Sequence, residues 1–149
     1  MLESMTSTRV MAIDPGEKRI GIAISDLSGS IATPLYTIMH VSHIENAKKI
    51  IELAKANQVA CIIIGQALDE DGRLTHSAIR ANRLGEQITL NTTIPVKYWD
   101  ETGTTLQARK SRLEMGLPRK KRHGHHDAIA ATLILQDYLD FHNPFNGEK

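Results

Sequence analysis

The sequence predicts an α/β fold: a mixed five-stranded sheet with helices on both faces. Two strand-length apolar runs, at 9–14 and 60–65, lack polar alternation, which is typical of strands buried on both sides. Short turns join the first three strands and favour antiparallel pairing. Helical segments separate the later strands, so strands four and five should run parallel to strand one through right-handed crossovers.

The first three strands follow each other closely. Strand one covers 9–14 (RVMAID), and the next residues, Pro15 and Gly16, suit the central positions of a type II turn. Strand two is expected at about 20–25, so the two strands form a hairpin. Strand three is expected near 31–38, where Pro34 favours an edge position because proline cannot donate a ladder hydrogen bond.

Helices alternate with strands in the next part of the chain. A helix should begin at Ser42, because Ser42 and Glu45 have the spacing of a capping box. Strand four (60–65) follows it. A second helix at about 75–90 and strand five at 95–100 come next.

Two more helices complete the predicted fold. One, at roughly 103–115, stops at a glycine that is soon followed by a proline. The last runs from about 125 to 141. Its apolar stripe, in register with Asp127, comprises Ala131, Ile134 and Tyr138, and its wet face comprises Thr132, Gln136 and Asp140.

Length and composition indicate a single globular domain at 9–141, with a flexible extension at 1–8 and a tail at 142–149. Charged residues make up 23% and apolar residues 41%, and no apolar run is long enough to span a membrane. The N-terminus lacks the apolar segment of a secretory signal. A single cysteine, Cys61, excludes an internal disulfide, so we expect a cytoplasmic protein and a buried packing role for Cys61.

Charge is distributed unevenly along the chain. Residues 109–126, here named the basic band, contain seven Lys or Arg residues and one acid, a net charge of +6; because the whole chain is +1, the remainder is −5. A local basic band suggests a bound polyanion. A solvated loop would explain it equally well.

Two acids end predicted strands. Asp14 follows a buried strand at its carboxyl end, where ligands of open α/β sheets gather. It could also be a turn residue that caps the hairpin. Glu101 follows strand five and would reach the same edge, although an acid there also suits the start of the next helix.

Asp127 is the third candidate. It shares the apolar stripe of the last helix, and an inward acid is costly unless it is protonated, paired or bound to a cation. A helix-start acid satisfied by free amides is the alternative. Together Asp14, Glu101 and Asp127 would suit Mg²⁺ or Mn²⁺, which prefer carboxylate oxygens, and two such ions can promote phosphodiester hydrolysis.

The sequence resembles the YqgF family of the RNase H-like superfamily, relatives of the RuvC Holliday-junction resolvases. The resemblance runs from Arg9 to about Asp140, and three motifs carry it: IDPGEKRIGIAISD (13–26), WDETGTT (99–105) and DAIAATLILQDYLD (127–140). It implies an RNase H-like nuclease domain with a metal site at Asp14, Glu101 and Asp127. It also matches Arg19 to the arginine after the first loop and Ser25-Asp26 to the end of strand two.

The resemblance implies a metal-dependent nuclease that acts on structured nucleic acid, most often by maturing the 5′ end of pre-16S ribosomal RNA. Cleavage of four-way DNA junctions by a homodimer is the alternative, and the pre-ribosomal particle is a further expected partner. The candidate nucleic-acid contacts are Lys18, Arg19, Arg109, Arg112, Arg119, Lys120, Lys121 and Arg122.

The chain departs from the family pattern at two places. Gly65-Gln66-Ala67 replaces the usual G-L-P, and Thr102 replaces the usual arginine after the glutamate, which removes one candidate phosphate contact. Strand five also lies two strand separations from strand one in such a sheet, so Glu101 must span about 10 Å. The loop acids at 69–71 could supply or replace this ligand.

Other features have simpler interpretations. The histidines at 123, 125 and 126 lack the cysteines of a zinc pattern, and phosphate contact suits them better, although His123 or His126 could act as a fourth ligand or a proton donor. Trp99 is the only tryptophan, so a base-stacking platform is not expected. A non-catalytic nucleic-acid-binding module stays possible at this point, whereas an actin-like ATPase would need a second domain.

Overall fold

The structure is a computed structural model, and it describes residues 8–101 and the helix at 119–142, with side chains in that helix from Ala128 onward. The predicted helix at 103–115 lies outside the described residues. So do nearly all of the predicted N-terminal extension and C-terminal tail.

Each strand and helix predicted within the described residues is present, with small shifts of boundary except at the start of the last helix. The elements are β1 (Val10–Pro15), β2 (Arg19–Ser25), β3 (Ala32–Met39), α1 (His43–Ala56), β4 (Cys61–Gln66), α2 (His76–Asn91), β5 (Val96–Asp100) and α3 (Arg119–His142).

The sheet has the order β3-β2-β1-β4-β5. The pairs β1–β2 and β2–β3 are antiparallel, whereas β1–β4 and β4–β5 are parallel. This confirms the predicted mixed topology. It also means that β1, β4 and β5 end at one edge of the sheet, which we call the carboxyl edge.

The alternation of side chains along β1 explains why it is apolar throughout. Met11 and Ile13 pack in the core beneath α1 and α2, whereas Val10 and Ala12 pack in a second core beneath α3. Successive residues of a strand point to opposite faces. Both faces of the central strands are therefore covered, as predicted.

The start of α1 follows the sequence signal only in part. The Ser42 hydroxyl accepts a hydrogen bond from the Glu45 amide at 3.1 Å, which satisfies one free donor of the first turn. The Glu45 carboxylate does not return to Ser42 but lies 3.9 Å from the Lys48 ammonium. One half of the predicted capping box is formed.

Helix α3 begins at Arg119 rather than near 125. The periodic pattern of this helix can be followed back only to Asp127, and Gly124 just before it has low helix propensity. The start predicted from the sequence was therefore too late. Arginine and lysine at 119–122 are good helix formers, and the proline at 118 suits a position directly before a helix.

The apolar stripe of α3 is confirmed, because Ala131, Ile134 and Tyr138 are all buried against the sheet. The prediction that Gln136 is on a wet face was wrong. Its side chain is half-buried, accepts a hydrogen bond from the Ala32 amide at 2.9 Å and donates to the Ser30 carbonyl at 3.1 Å. No helix in the described part of the chain is long and apolar enough to cross a membrane.

Candidate metal centre at the carboxyl edge

Asp14 lies near the end of β1 and is half-buried. It pairs with Gly21 on β2, and on the other side Ile13 pairs with Ile64, so Gly65 of β4 comes next to Asp14. By alternation from Ala12, Asp14 belongs to the face that α3 covers. Both lateral neighbours of Asp14 are therefore glycines, and no side chain crowds it from either strand.

Glu101 leans over the sheet rather than away from it. Its backbone amide donates to the Gln66 carbonyl at 3.1 Å, which continues the β4–β5 pairing. A Cβ atom built on Gly65 would lie 2.8 Å from Oε2 of Glu101, so the carboxylate occupies the space directly above this glycine. The Glu101 side chain thus reaches from the end of β5 to the neighbouring strand β4. The distance that remains between Gly65 and Asp14 is one strand spacing, about 4.8 Å.

Gly65 leaves space for the Glu101 carboxylate, a role that was not predicted from the sequence. The same hypothetical Cβ would lie 2.7 Å from Cδ1 of Ile134, so the glycine is enclosed between the α3 side chain and the carboxylate. The signal was present: a glycine inside an otherwise apolar strand often marks a close approach of another group.

The backbone of Asp127 lies in α3, but its side chain is outside the described residues. Ile134 lies over Gly65 at the end of β4, whereas the Tyr138 hydroxyl interacts with Cys61 at the start of β4, so α3 runs from the carboxyl edge towards the opposite edge. Position 127 precedes Ile134 by about two turns, or about 10 Å. It therefore lies towards the carboxyl edge, on the stripe that faces the sheet.

The loop acids do not complete the site in the described residues. Oδ1 of Asp69 accepts hydrogen bonds from the amides of Asp71 and Arg73 at 2.9 and 2.8 Å, so this side chain stabilises its own loop. Residues 69–71 are exposed. Among the residues that the structure describes, no three His, Cys, Asp or Glu side chains form a potential metal-binding group.

Ser25 and Asp26 lie at the opposite edge and have structural roles. The buried Ser25 hydroxyl accepts from the Val10 amide at 2.8 Å. The Asp26 carboxylate accepts from the Ser30 and Ile31 amides at 2.8 and 3.1 Å. The hydrogen bond from Ser30, foremost among these contacts, lowers the pKa of Asp26.

The candidate phosphate contacts fall into two groups. Lys18 and Arg19 lie at the β1–β2 turn, next to the carboxyl edge, and Lys18 is exposed. The backbone at 119–122 forms the first turn of α3, followed in the helix by the histidines at 123, 125 and 126. The side chains of these helical residues, and Arg109 and Arg112 altogether, lie outside the described residues.

Trp99 has a packing role, and Cys61 has the packing role that the sequence predicted, although it is only half-buried. The Trp99 indole donates to Oδ2 of Asp137 at 3.0 Å and packs edge-to-face on Tyr138 with 5.3 Å between ring centroids. Cys61 is half-buried beside the same core, and burial raises the pKa of its thiol, which favours the neutral, unreactive form.

A family model described as "RuvX: Holliday junction resolvase" matches residues 8–141. The chain is 39% identical over 133 residues to a protein of Caldanaerobacter subterraneus named "Putative pre-16S rRNA nuclease", with 89% of this chain and 96% of that protein covered. A protein of the same name from Endomicrobium trichonymphae is 41% identical, with coverage of 89% and 95%.

Two solved structures share the fold. T. thermophilus RuvC, in complex with a Holliday junction substrate, superposes with a TM-score of 0.55 at 15% identity, over 91% of this chain and 95% of that chain. The fowlpox virus resolvase, in complex with Holliday junction DNA, gives a TM-score of 0.56 at 8% identity, over 91% and 99%. At these identities the likeness concerns the fold alone.

Proposed function

Because the chain belongs to the family described as RuvX: Holliday junction resolvase, we propose that it is a divalent-metal-dependent nuclease that hydrolyses structured nucleic acid at the carboxyl edge. Membership confirms the resemblance seen in the sequence, and the names of the relatives support a nuclease. The observation that carries the metal-dependent mechanism is the Glu101 carboxylate lying over Gly65, beside Asp14.

The residues at this edge fit a hard cation. Asp14, Glu101 and Asp127 would be the ligands, and carboxylate oxygens are the donors that Mg²⁺ and Mn²⁺ prefer. Gly21, the neighbour of Asp14 on β2, adds no side chain beside it, and Gly65 on β4 admits the Glu101 carboxylate. When bound, such ions would activate a water and stabilise the leaving oxygen of the phosphodiester.

The chain's own residues would orient the substrate. Lys18 and Arg19, at the adjacent turn, would contact backbone phosphates, and the basic band would hold a more distant part of the strand. Trp99 is engaged by Asp137 and Tyr138, so it is not free to stack on a base. Recognition would therefore depend on phosphate positions and on nucleic-acid shape.

The substrate that we propose is the 5′ end of pre-16S rRNA, following the names of the curated relatives. The family description favours a four-way DNA junction as the second candidate. Three further properties stay predictions: contact with a pre-ribosomal particle, a cytoplasmic location, and action as a monomer or a homodimer.

The test compares Asp14→Asn with the unaltered protein on a pre-16S 5′-leader RNA and on a four-way DNA junction, with Mg²⁺, with Mn²⁺ and with chelator. We expect cleavage of the RNA only with metal. Asp14→Asn should lower the rate by about 10³-fold or more, because ion-mediated stabilisation contributes several kcal/mol. Binding without metal should be retained.

Asp26→Asn is the matched control, since it makes the same chemical change at the opposite edge and should leave cleavage intact in folded protein. Cleavage that persists in Asp14→Asn would refute the proposed site. Binding without any cleavage in either metal would instead identify a non-catalytic binding module, and cleavage of the junction alone would favour the DNA substrate.

A further inference from the structure

A group of basic side chains lies between the start of α1 and the first half of α2, on the face of the sheet away from α3. His40 follows β3 and His43 opens α1, and their rings meet edge-on with centroids 5.6 Å apart. Arg80 and Arg83 stand one turn apart on α2, which packs against α1. We call these four residues the helix-end cluster.

The cluster has no counter-ion of its own. Within the described part of the chain, neither Arg80 nor Arg83 makes an ion pair or a hydrogen bond, and the one ion pair on α1 joins Lys48 to Glu45. The Nε atom of Arg80 and the Nδ1 atom of His43 are buried without a partner. A buried polar nitrogen without a partner carries a desolvation cost, and a bound anion would supply acceptors for N–H groups at this place.

Asn46 holds His40 in one orientation. Its Oδ1 accepts from the Val41 amide at 3.1 Å, so its Nδ2 must be the atom that lies 2.9 Å from Nδ1 of His40. An amide nitrogen can only donate, which makes Nδ1 the acceptor and leaves the imidazole proton on Nε2. Asn46 is buried, so His40 has a fixed N–H donor on its other side.

The pKa of His43 also reflects the basic residues around it. Its pKa is lowered, first by burial and then by the charges of His40, Arg83 and Arg80. Arg83 and Arg80 on α2 therefore lie close enough to His43 to disfavour protonation of its ring. His43 itself lies in the first turn of α1, where the positive end of the helix dipole also favours an anion.

We propose that His40, His43, Arg80 and Arg83 form an anion site that holds a backbone phosphate of the nucleic-acid substrate, separate from the carboxylates of the metal centre. This inference rests on the proposed function, because the nuclease substrate supplies the phosphate. Guanidinium groups and imidazole N–H groups are suitable donors to phosphate oxygens.

The position of the cluster supports a phosphate of the same substrate. The His40 amide donates to the Lys18 carbonyl at 2.9 Å, so the cluster adjoins the β1–β2 turn that directly follows Asp14. A strand with its scissile phosphate at Asp14 could pass the exposed Lys18 and continue to Arg80 and Arg83.

The test measures binding of a labelled pre-16S 5′-leader RNA, without divalent metal, over a range of salt concentrations. We expect Arg80→Gln/Arg83→Gln to weaken binding about tenfold or more and to reduce the slope of log K against log salt by about 1, as for the loss of one or two phosphate contacts. The control is Lys49→Gln/Lys55→Gln, which removes the same charge from exposed positions further along α1 and should change affinity less than about twofold.

A second measurement probes the site with inorganic phosphate. The ring signals of His43 are followed by NMR at constant ionic strength, with chloride as the reference anion. We expect phosphate to raise the apparent pKa of His43, and Arg80→Gln/Arg83→Gln to abolish this response.

The outcomes separate the two proposals. Equal loss of RNA affinity in the test and control variants would overturn the anion site, as would a His43 signal that ignores phosphate. A phosphate response combined with RNA affinity that does not depend on Arg80 and Arg83 would overturn the assignment to a nucleic-acid backbone. If the unaltered protein bound neither RNA nor junction, the proposed function would fail, and the response of His43 to phosphate would report on the anion site by itself.

Discussion

Gly65 determines where the Glu101 carboxylate can lie. A residue that follows β5 is two strands from β1, and a side chain on β4 would block the direct route between them. Gly65 removes that obstacle, and Ile134 closes the space from the side of α3. The geometry of the proposed metal centre thus depends on a residue that bears no functional group.

We expect Gly65→Ala to impair cleavage far more than stability. The added Cβ would meet Oε2 of Glu101 at 2.8 Å and Cδ1 of Ile134 at 2.7 Å, and both atoms are ends of side chains that can move. Overpacking of this kind costs about 1–3 kcal/mol, whereas a shift of about 1 Å at a reacting centre can cost about 10²-fold in rate. The measurements are single-turnover cleavage and urea unfolding.

Gly85→Ala is the control for this experiment, because its added Cβ would meet the Tyr98 hydroxyl on the other face of the sheet. It should lower the free energy of unfolding and leave the cleavage rate of the folded protein unchanged. Full activity in a stable Gly65→Ala protein would contradict the role given to Glu101.

The role of a single residue could be predicted from the sequence where its position in a strand or helix was itself clear from the sequence. Asp14 could be assigned to the carboxyl edge because a buried strand ends there. The path of Glu101 could not, because it depends on the pairing of β4 with β5 and on a side chain that leans across a neighbouring strand. The hydrogen bonds from loop amides to the Asp69 carboxylate could not be predicted either, because they depend on the detailed course of the loop.

At the scale of elements, periodicity predicted the strands and helices well but misjudged one face of α3. Gln136 appeared to belong to a solvated face because it is polar and opposite the apolar stripe. The sheet extends beneath that side of the helix to β3, and Gln136 supplies hydrogen bonds to this edge strand. A polar side chain that satisfies an open strand edge cannot be distinguished by periodicity from one in water.

We expect Gln136→Ala to lower the free energy of unfolding by about 1–3 kcal/mol, because the Ala32 amide and the Ser30 carbonyl each lose a partner. Urea unfolding would measure the loss, and hydrogen exchange at the Ala32 amide should accelerate. Gln87→Ala is the control, since Gln87 is a half-buried helical glutamine whose side chain makes no hydrogen bond within the described residues. Equal destabilisation by both changes would show that loss of helix packing, and not the tie to β3, is responsible.

For the whole molecule, topology followed from the order of elements, because short connections and right-handed crossovers leave few arrangements of five strands. The distribution of charge is the other property that the sequence determines directly. The basic band at +6 is offset by −5 elsewhere, so the net charge of +1 hides a strong asymmetry of charge along the chain. Such an asymmetry orients a polyanion before any specific contact is made.

The location of the positive charge, rather than its total, should govern binding. We expect replacement of the four basic residues at 119–122 by glutamate to weaken RNA binding about 100-fold or more at low salt, and to reduce the salt slope by about 3 if each contacts a phosphate. Acids in the first turn of α3 favour the helix, so stability should not fall. The control replaces four exposed lysines, at 48, 49, 55 and 97, by glutamate, which changes the net charge equally. If the control lost as much affinity with the same change of slope, the protein would be responding to net charge alone, and the basic band would have no special role in binding.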